Sequence, residues 1–295
     1  MNAWQEGWFT EISNGLWDGE SKNLKVKRVL YHEKSKFQDI LVFESESYGN
    51  VLVLDGAIQA TEKDECSYQE MACHLPLVTL DHEPKRVCII GGGDGGCVRE
   101  VLKHPSVEEV VLCEIDVDVI NAAKQFLPTM SCGLSDPRVK IINADGAEYL
   151  RQHKKYFDVV INDCSDPVGL AEFLFSKEFF ETCKEALVEN GVFSQQSETL
   201  WLHLDLIAQM KENLEKVFGN VNYAWSSTPT YPGGILGYLV CQMQSGVDSR
   251  EPRRIESWFN QLDEKTRDSL KYYTPQLHRA AFNLPAFAAK KLNQF

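Results

Sequence analysis

No stretch of this 295-residue chain approaches the ~20 consecutive apolar residues a membrane helix needs, so no membrane partner is expected. Basic residues are scarce: 30 Lys and Arg against 43 Asp and Glu leave a formal charge of −13. No Lys/Arg cluster of the kind that tracks a phosphate backbone is present, which argues against a nucleic-acid partner. The nine cysteines include no C-x-x-C pair, and no His cluster completes a zinc spacing, so no metal is expected. Scattered and odd in number, they read as small hydrophobes in a reducing compartment. Residues Met1–Gly7 carry neither a basic nor an apolar leader segment, so a cytoplasmic location is expected. Internal repeats and low-complexity tracts are also missing.

What is present is enough apolar material for a sizeable core, 43% hydrophobic and 11% aromatic. That suits one large domain, or one domain plus a smaller one. The acidic surplus serves solubility, or attracts a cationic partner or substrate.

The first ~75 residues are strand-rich. Asn23–Leu30, Asp39–Ser45 and Val51–Leu54 alternate, with turn signals at Tyr48-Gly49-Asn50 and Asp55-Gly56, which predicts a small antiparallel sheet of hairpins. A helical pattern over Asp64–Leu75 is expected to stop before Pro76. Beyond Pro84 the pattern changes. Apolar runs at Lys85–Ile90, Val107–Ile115, Val139–Asn143 and Phe157–Asn162 alternate with helical segments at Val98–His104, Val117–Phe126 and Lys177–Val188. Such alternation predicts a parallel α/β sheet with right-handed crossovers. Two domains follow, 1–75 and 76–295.

The first of these runs ends in Gly91-Gly92-Gly93-Asp94-Gly95-Gly96. Gly91, Gly93 and Gly96 satisfy G-x-G-x-x-G between a strand and a helix, where the chain turns tightly and a nucleotide or nucleoside can approach the helix N-terminus. Glu114, 21 residues after Gly93 at the end of the second run, suits the two hydroxyls of a ribose. NAD-dependent dehydrogenases and transferases using S-adenosylmethionine-type donors fit these features equally. Asp94 separates them, because a carboxylate inside the turn repels a pyrophosphate and suits a sulfonium nucleoside with an amine tail. Asp145, followed by Gly146, could reach an adenine amino group or simply cap a helix. Asp163 and Asp166, three apart where the fourth strand ends, would line the same crevice; paired carboxylates hold an ammonium, and one can take its proton. Cys164 between them is not expected to be a nucleophile, because carboxylates disfavour a thiolate. Trp201, Leu202 and Leu206 read as helix core.

Eight segments, in order, resemble the polyamine aminopropyltransferases: Tyr68-Gln69-Glu70-Met71, Gly91–Gly96, Cys113-Glu114-Ile115-Asp116, Asp145-Gly146, Asp163-Cys164-Ser165-Asp166-Pro167, Trp201-Leu202-His203-Leu204-Asp205, Pro229-Thr230-Tyr231-Pro232 and Leu277-His278-Arg279-Ala280-Ala281-Phe282. The resemblance runs from about Gly7-Trp8-Phe9 to the C-terminus. It implies a small N-terminal antiparallel β domain joined to a Rossmann-like methyltransferase-type α/β domain, working as a homodimer without metal. The implied reaction moves an aminopropyl group from decarboxylated S-adenosylmethionine, a co-substrate rather than a resident cofactor, to putrescine, leaving spermidine and 5′-methylthioadenosine. By position, Asp163 matches the acid that deprotonates the attacking amine. Tyr68, Asp166, Tyr231, Gln196 and His74 match the diamine pocket, and Gln38, Gln69, Asp94, Glu114, Asp145 and Gly146 the nucleoside site. One departure is Leu170 in Asp166-Pro167-Val168-Gly169-Leu170-Ala171-Glu172, where the family carries proline. Leucine restores an N–H and frees φ in this lid segment.

Rival readings share much of this pattern. A longer acceptor would make the chain a spermine or thermospermine synthase. A putrescine N-methyltransferase would use intact S-adenosylmethionine, whose tail carboxylate Asp94 would repel. A non-catalytic binding partner would be expected to lose the base, and Asp163 is present.

Overall fold

The computed structural model describes residues 7–12, 16–165, 169–243 and 248–295. An antiparallel meander comes first, in the order of the chain: β1 (Trp8–Ile12), β2 (Ser21–Lys34), β3 (Asp39–Ser45), β4 (Asn50–Leu54) and β5 (Ala57–Thr61). Its predicted hairpins are present, with Ile40↔Leu54 and Val42↔Leu52 in register. Ile40, Val42 and Leu52 pack against Val119, Ala123 and Leu127 of the following α/β unit. The meander therefore rests directly on the larger fold, burying apolar surface worth ~1.5–3 kcal/mol for each large side chain fully covered.

Next comes α1 (Glu65–Thr79), then β6 (Arg86–Gly91), α2 (Gly96–Val101), β7 (Glu109–Cys113), α3 (Val117–Phe126), the short α4 (Pro128–Ser131), β8 (Val139–Ile142), α5 (Gly146–Arg151) and β9 (Phe157–Asp163). A 3₁₀ turn over Gly169–Phe175 precedes α6 (Lys177–Ala186), β10 (Leu187–Gln196), α7 (Leu204–Phe218), β11 (Asn220–Ser227) and β12 (Ile235–Gln242). Four helices close the chain: α8 (Ile255–Gln261), α9 (Glu264–Asp268), α10 (Pro275–Ala281) and α11 (Ala286–Leu292). The strands form one sheet in the order β11-β12-β10-β9-β6-β7-β8. Strands β8, β7, β6, β9 and β10 are mutually parallel, and β12 runs antiparallel between β10 and β11. This is the Rossmann-like, methyltransferase-type arrangement expected. The strand order reverses between β6 and β9, which opens a crevice at their carboxyl ends. Residues such as Val87, Ile89, Val159 and Ile161 are fully covered because helices pack on both faces, as the unbroken apolar runs require.

The structure departs from expectation at α1, which continues through Pro76 to Thr79. Pro76 cannot donate to the carbonyl one turn back, but every residue from Gln69 to Thr79 is buried, so packing outweighs the local penalty. This helix lies against β9, β10 and α2 of the larger sheet. Glu70, buried within it, accepts the backbone N–H groups of Lys271, Tyr272 and Tyr273 at 2.8, 3.0 and 2.7 Å. Trp201 also differs: instead of filling a core it is 63% exposed in the turn before α7, resting on Phe287 with ring centroids 5.2 Å apart. Leu206 is likewise exposed.

Candidate active site

The carboxyl ends of β6, β7, β8 and β9 open into a cavity of about 350 Å³, roofed by residues from the meander and from the 228–236 turn. On its β6 side, Gly91 and Gly92 take φ of +77° and +70°, a conformation that a side chain strains. The turn brings Asp94 back over the start of α2, where its Oδ1 accepts Gly96 N–H at 2.6 Å and the Gln69 amide at 2.8 Å. A Cβ on Gly96 would lie 1.8 Å from Gln69 Oε1, so a larger residue there would displace the Gln69 amide from Asp94. At the end of β7, Glu114 is held by the Asp116 N–H at 2.8 Å. Asp116 in turn accepts Gln38 Nε2 at 2.9 Å, which draws Gln38 from the β2–β3 turn to the cavity wall. Asp145 caps α5 through Oδ1, accepting Ala147 and Glu148 N–H at 2.8 and 3.1 Å. It lines the cavity as well, together with Gly146, so the capping and site readings coexist.

On the β9 side Asp163 faces the glycine turn. Its register partner is Gly91, and a Cβ on Gly92 would lie 2.6 Å from Asp163 Oδ2. Tyr68 donates to Asp163 Oδ1 at 2.5 Å and stacks on Tyr238, with centroids 5.8 Å apart. The other oxygen, Oδ2, has no hydrogen-bond partner among the described residues, and neither does the Oε1 of buried Gln196. Both residues line the cavity, and each carries a buried acceptor left unpaired, a state that costs free energy until a donor meets it. Tyr231 completes this side, its hydroxyl donating to Glu198 Oε2 at 2.7 Å.

Ten of the twelve residues singled out from sequence thus line one cavity. Asp166 lies outside the described residues, as do Pro167 and Val168 of the lid segment and the side chain of Leu170. His74 is a correction. It is fully buried away from the cavity, with Nε2 3.2 Å from Glu100 and Nδ1 3.1 Å from His104. Since α1 is covered on all sides in this stretch, its sequence period does not reveal which face meets the cavity. Sequence reasoning also missed Glu198, Asp64 and Glu65. Glu198 sits at φ +47°, a left-handed conformation uncommon for a residue with a side chain, and is fully buried between Tyr231 and His203. Asp64 accepts the N–H and hydroxyl of Thr230 at 2.8 and 2.7 Å, which fixes the turn carrying Tyr231. No sequence motif marks these carboxylates, because the contacts with Thr230, Arg99 and Tyr231 that place them come from more than thirty residues away.

Electrostatics follow from the lining. Asp64, Glu65, Asp94, Glu114, Asp145 and Asp163 all border the cavity, and among the described residues no Lys, Arg or His does. Burial, with the neighbouring Asp163 and Glu65 charges, pushes the Asp94 carboxyl up to about 7, against the pull of the Gly96 N–H and Arg99. Burial and the Asp116 charge push Glu114 up to about 7 as well. Asp163 is raised by burial, with hydrogen bonds from Tyr68 and Cys97 opposing it. A cavity of this kind stabilises positive charge and strongly disfavours phosphate or carboxylate.

A methyltransferase-type sheet with a glycine turn and a crevice lined by carboxylates suits a group-transferring enzyme acting on cationic nucleosides and amines. Residues 65–251 match the family described as "Spermine/spermidine synthase domain", and residues 7–62 match "Spermidine synthase tetramerisation domain". A spermidine synthase of Dictyostelium discoideum is 48% identical over 293 residues, covering 99% of this chain and 100% of its own. One from Schizosaccharomyces pombe is 50% identical over 284 residues, covering 96% and 93%. A crystal structure of spermidine synthase in complex with the transition-state analogue AdoDATO superposes with a TM-score of 0.91 at 39% identity, covering 100% of this chain and 97% of the other. The chain belongs to the spermine/spermidine synthase family, whose members are aminopropyltransferases.

Proposed function

We propose that this chain transfers the aminopropyl group of decarboxylated S-adenosylmethionine to putrescine by direct displacement. The observation that carries this reading is the six-carboxylate cavity, in which Asp163 has one buried oxygen without a partner beside the glycine turn. Gln38, Gln69, Asp94, Glu114, Asp145 and Gly146 would hold the nucleoside, Asp94 facing the ammonium of its tail and Glu114 the ribose. Tyr68, Tyr231, Gln196 and Asp166 would hold the diamine. Asp163 Oδ2 takes a proton from the attacking ammonium, and the freed amine lone pair attacks the aminopropyl carbon next to sulfur. A C–N bond forms, the C–S bond breaks, and its electron pair neutralises the sulfonium as methylthioadenosine leaves. The sulfonium is already a good leaving group, so most of the remaining barrier is in-line positioning and exclusion of water. Residues 76–295 carry most of these groups, and 1–75 supply Gln38, Tyr68 and Gln69. A homodimer is part of the proposal, supported by the tetramerisation-domain match and by exposed Trp8, Ile12 and Val29 on the meander. So is a cytoplasmic location; among the described residues no helix is long and apolar enough to cross a membrane.

The test is a product assay by mass spectrometry with putrescine and either decarboxylated or intact S-adenosylmethionine. Spermidine and methylthioadenosine are expected with the decarboxylated donor alone. N-methylputrescine from the intact donor would overturn the reading, and turnover only with spermidine as acceptor would replace putrescine by a longer amine.

Proton release provides a second check. Asp94 and Glu114 are raised to about 7 in the free protein. Groups raised in this way favour the folded state below the ordinary carboxylate range, and that contribution is lost as pH rises through about 7. A bound dication favours their ionised forms, so donor binding at pH 7 should release on the order of one proton. Calorimetry in two buffers of different ionisation enthalpy reads this directly, and equal heats in both would contradict it.

A further inference from the structure

Arg99, in the middle of α2, does not line the cavity, yet all five of its N–H donors are used. Its Nε donates to Glu100 Oε1 at 2.7 Å. Nη1 donates to Glu65 Oε1 at 3.1 Å and to the Thr129 carbonyl at 3.0 Å. Nη2 donates to Glu65 Oε2 at 2.7 Å and to Gln69 Oε1 at 3.4 Å. The guanidinium is thus forked on a buried carboxylate of α1 and aimed at the amide oxygen of a glutamine that is 1% exposed.

The Gln69 amide has two ends of similar shape and opposite polarity. Its Nε2 must face Asp94 Oδ1, 2.8 Å away; turned over, it would place a carbonyl oxygen against a carboxylate. The Arg99 donor at Oε1 excludes that turned-over state, because it would then meet an amide N–H. We infer that Arg99 is a positioning residue for the aminopropyl donor, orienting Gln69 and through it Asp94, so that the Asp94 oxygen left open faces the ammonium tail. The inference rests on the proposed assignment of Asp94 to that tail. Its reach is confined to the tail: Glu114, Asp145 and Gln38 are held by Asp116 and by backbone N–H groups, with no link through Arg99.

Two ligands separate positioning from mere support of the fold. Decarboxylated S-adenosylmethionine carries the cationic tail, whereas methylthioadenosine keeps the nucleoside and lacks both positive charges. In Arg99→Met the donor's Kd is expected to rise roughly tenfold while that of methylthioadenosine changes less than about twofold. Arg99→Lys, which keeps the charge and loses the fork, should recover part of the loss. Because Met leaves Glu65 without its partner, the double variant Glu65→Gln/Arg99→Met is measured beside it and should show the same selectivity between ligands. Parallel weakening of both ligands in every variant would reduce Arg99 to a structural role, and unchanged donor affinity would remove it from the site altogether. Asp94→Asn is the control for the underlying reading. Loss of donor affinity in Asp94→Asn without loss in Arg99→Met sinks only the role of Arg99, while a silent Asp94→Asn sinks the tail assignment itself.

Discussion

Asp163→Asn should lower kcat by roughly 10²–10⁴-fold without lowering the melting temperature. The two halves of this expectation have the same origin. Asparagine has the shape of aspartate and still offers an oxygen to the Tyr68 hydroxyl, now 2.5 Å from Oδ1. It cannot accept a proton from an ammonium, so the attacking nitrogen stays without its lone pair. Burial raises the Asp163 pKa, which means that its ionised form is held at a cost to the folded state. A neutral amide removes that cost, and stability should be unchanged or slightly improved. The acid limb of the kcat profile should flatten in the variant, since the group that loses its charge as pH falls is gone. A variant that kept more than a tenth of wild-type kcat would exclude Asp163 as the proton acceptor; one that unfolded would show its role to be structural.

Gly91→Ala is the substitution expected to do most damage to the fold. A Cβ at this position would lie 2.3 Å from the Asp163 carbonyl oxygen, 2.9 Å from its carbon and 3.2 Å from Cys164 Cα. All three are backbone atoms at the end of β9 and the residue that follows it, so no side-chain rotation relieves the overlap. The φ of +77° adds strain of ~1–2 kcal/mol for a residue with a side chain. Together these should cost about 3–5 kcal/mol, or about 5–8 °C in melting temperature for a chain of this size, and should displace Asp163 enough to abolish most turnover. Gly219→Ala separates the two terms, because Gly219 has φ of +89° with nothing within 4 Å of its Cβ position. It should lose only the conformational part. Equal destabilisation in the two variants would mean that β6 and β9 part easily and that the glycine turn does not fix Asp163.

The parts of this site that sequence makes legible are those created by local chain chemistry. A strand followed by Gly91–Gly96 and a helix can close only as a tight turn, so Asp94 had to appear at a helix start. Glu114 and Asp163 follow from the rule that parallel strands deliver their terminal residues to one edge of the sheet. What sequence conceals is whatever depends on a partner across the molecule. His74 sits on a helix buried on all sides, where apolar period carries no information about direction, and its contacts come from Glu100 and His104. Trp201 with the Leu202/Leu206 spacing reads as helix core, but Trp201 meets Phe287, 86 residues further along, on the surface. Pro76 marks a stop only for a helix that must stand on its own hydrogen bonds. The insertion of β12 between β10 and β11 is likewise a tertiary choice, since a strand's own sequence is the same whichever neighbour it pairs with.

An anionic chamber whose lining includes no cationic side chain among the described residues has one more consequence. Its attraction extends over the screening length of the medium, about 8–10 Å at physiological ionic strength, and acts on every small cation alike. When the chamber holds no substrate, monovalent ions and free amines of any length compete for the same field, and added salt weakens capture of donor and acceptor together. Charge therefore recruits but does not choose. Discrimination between one amine and another has to come from uncharged dimensions: how far Tyr68 stands from Tyr231, and how much methylene chain their aromatic faces can cover before the next nitrogen needs a partner.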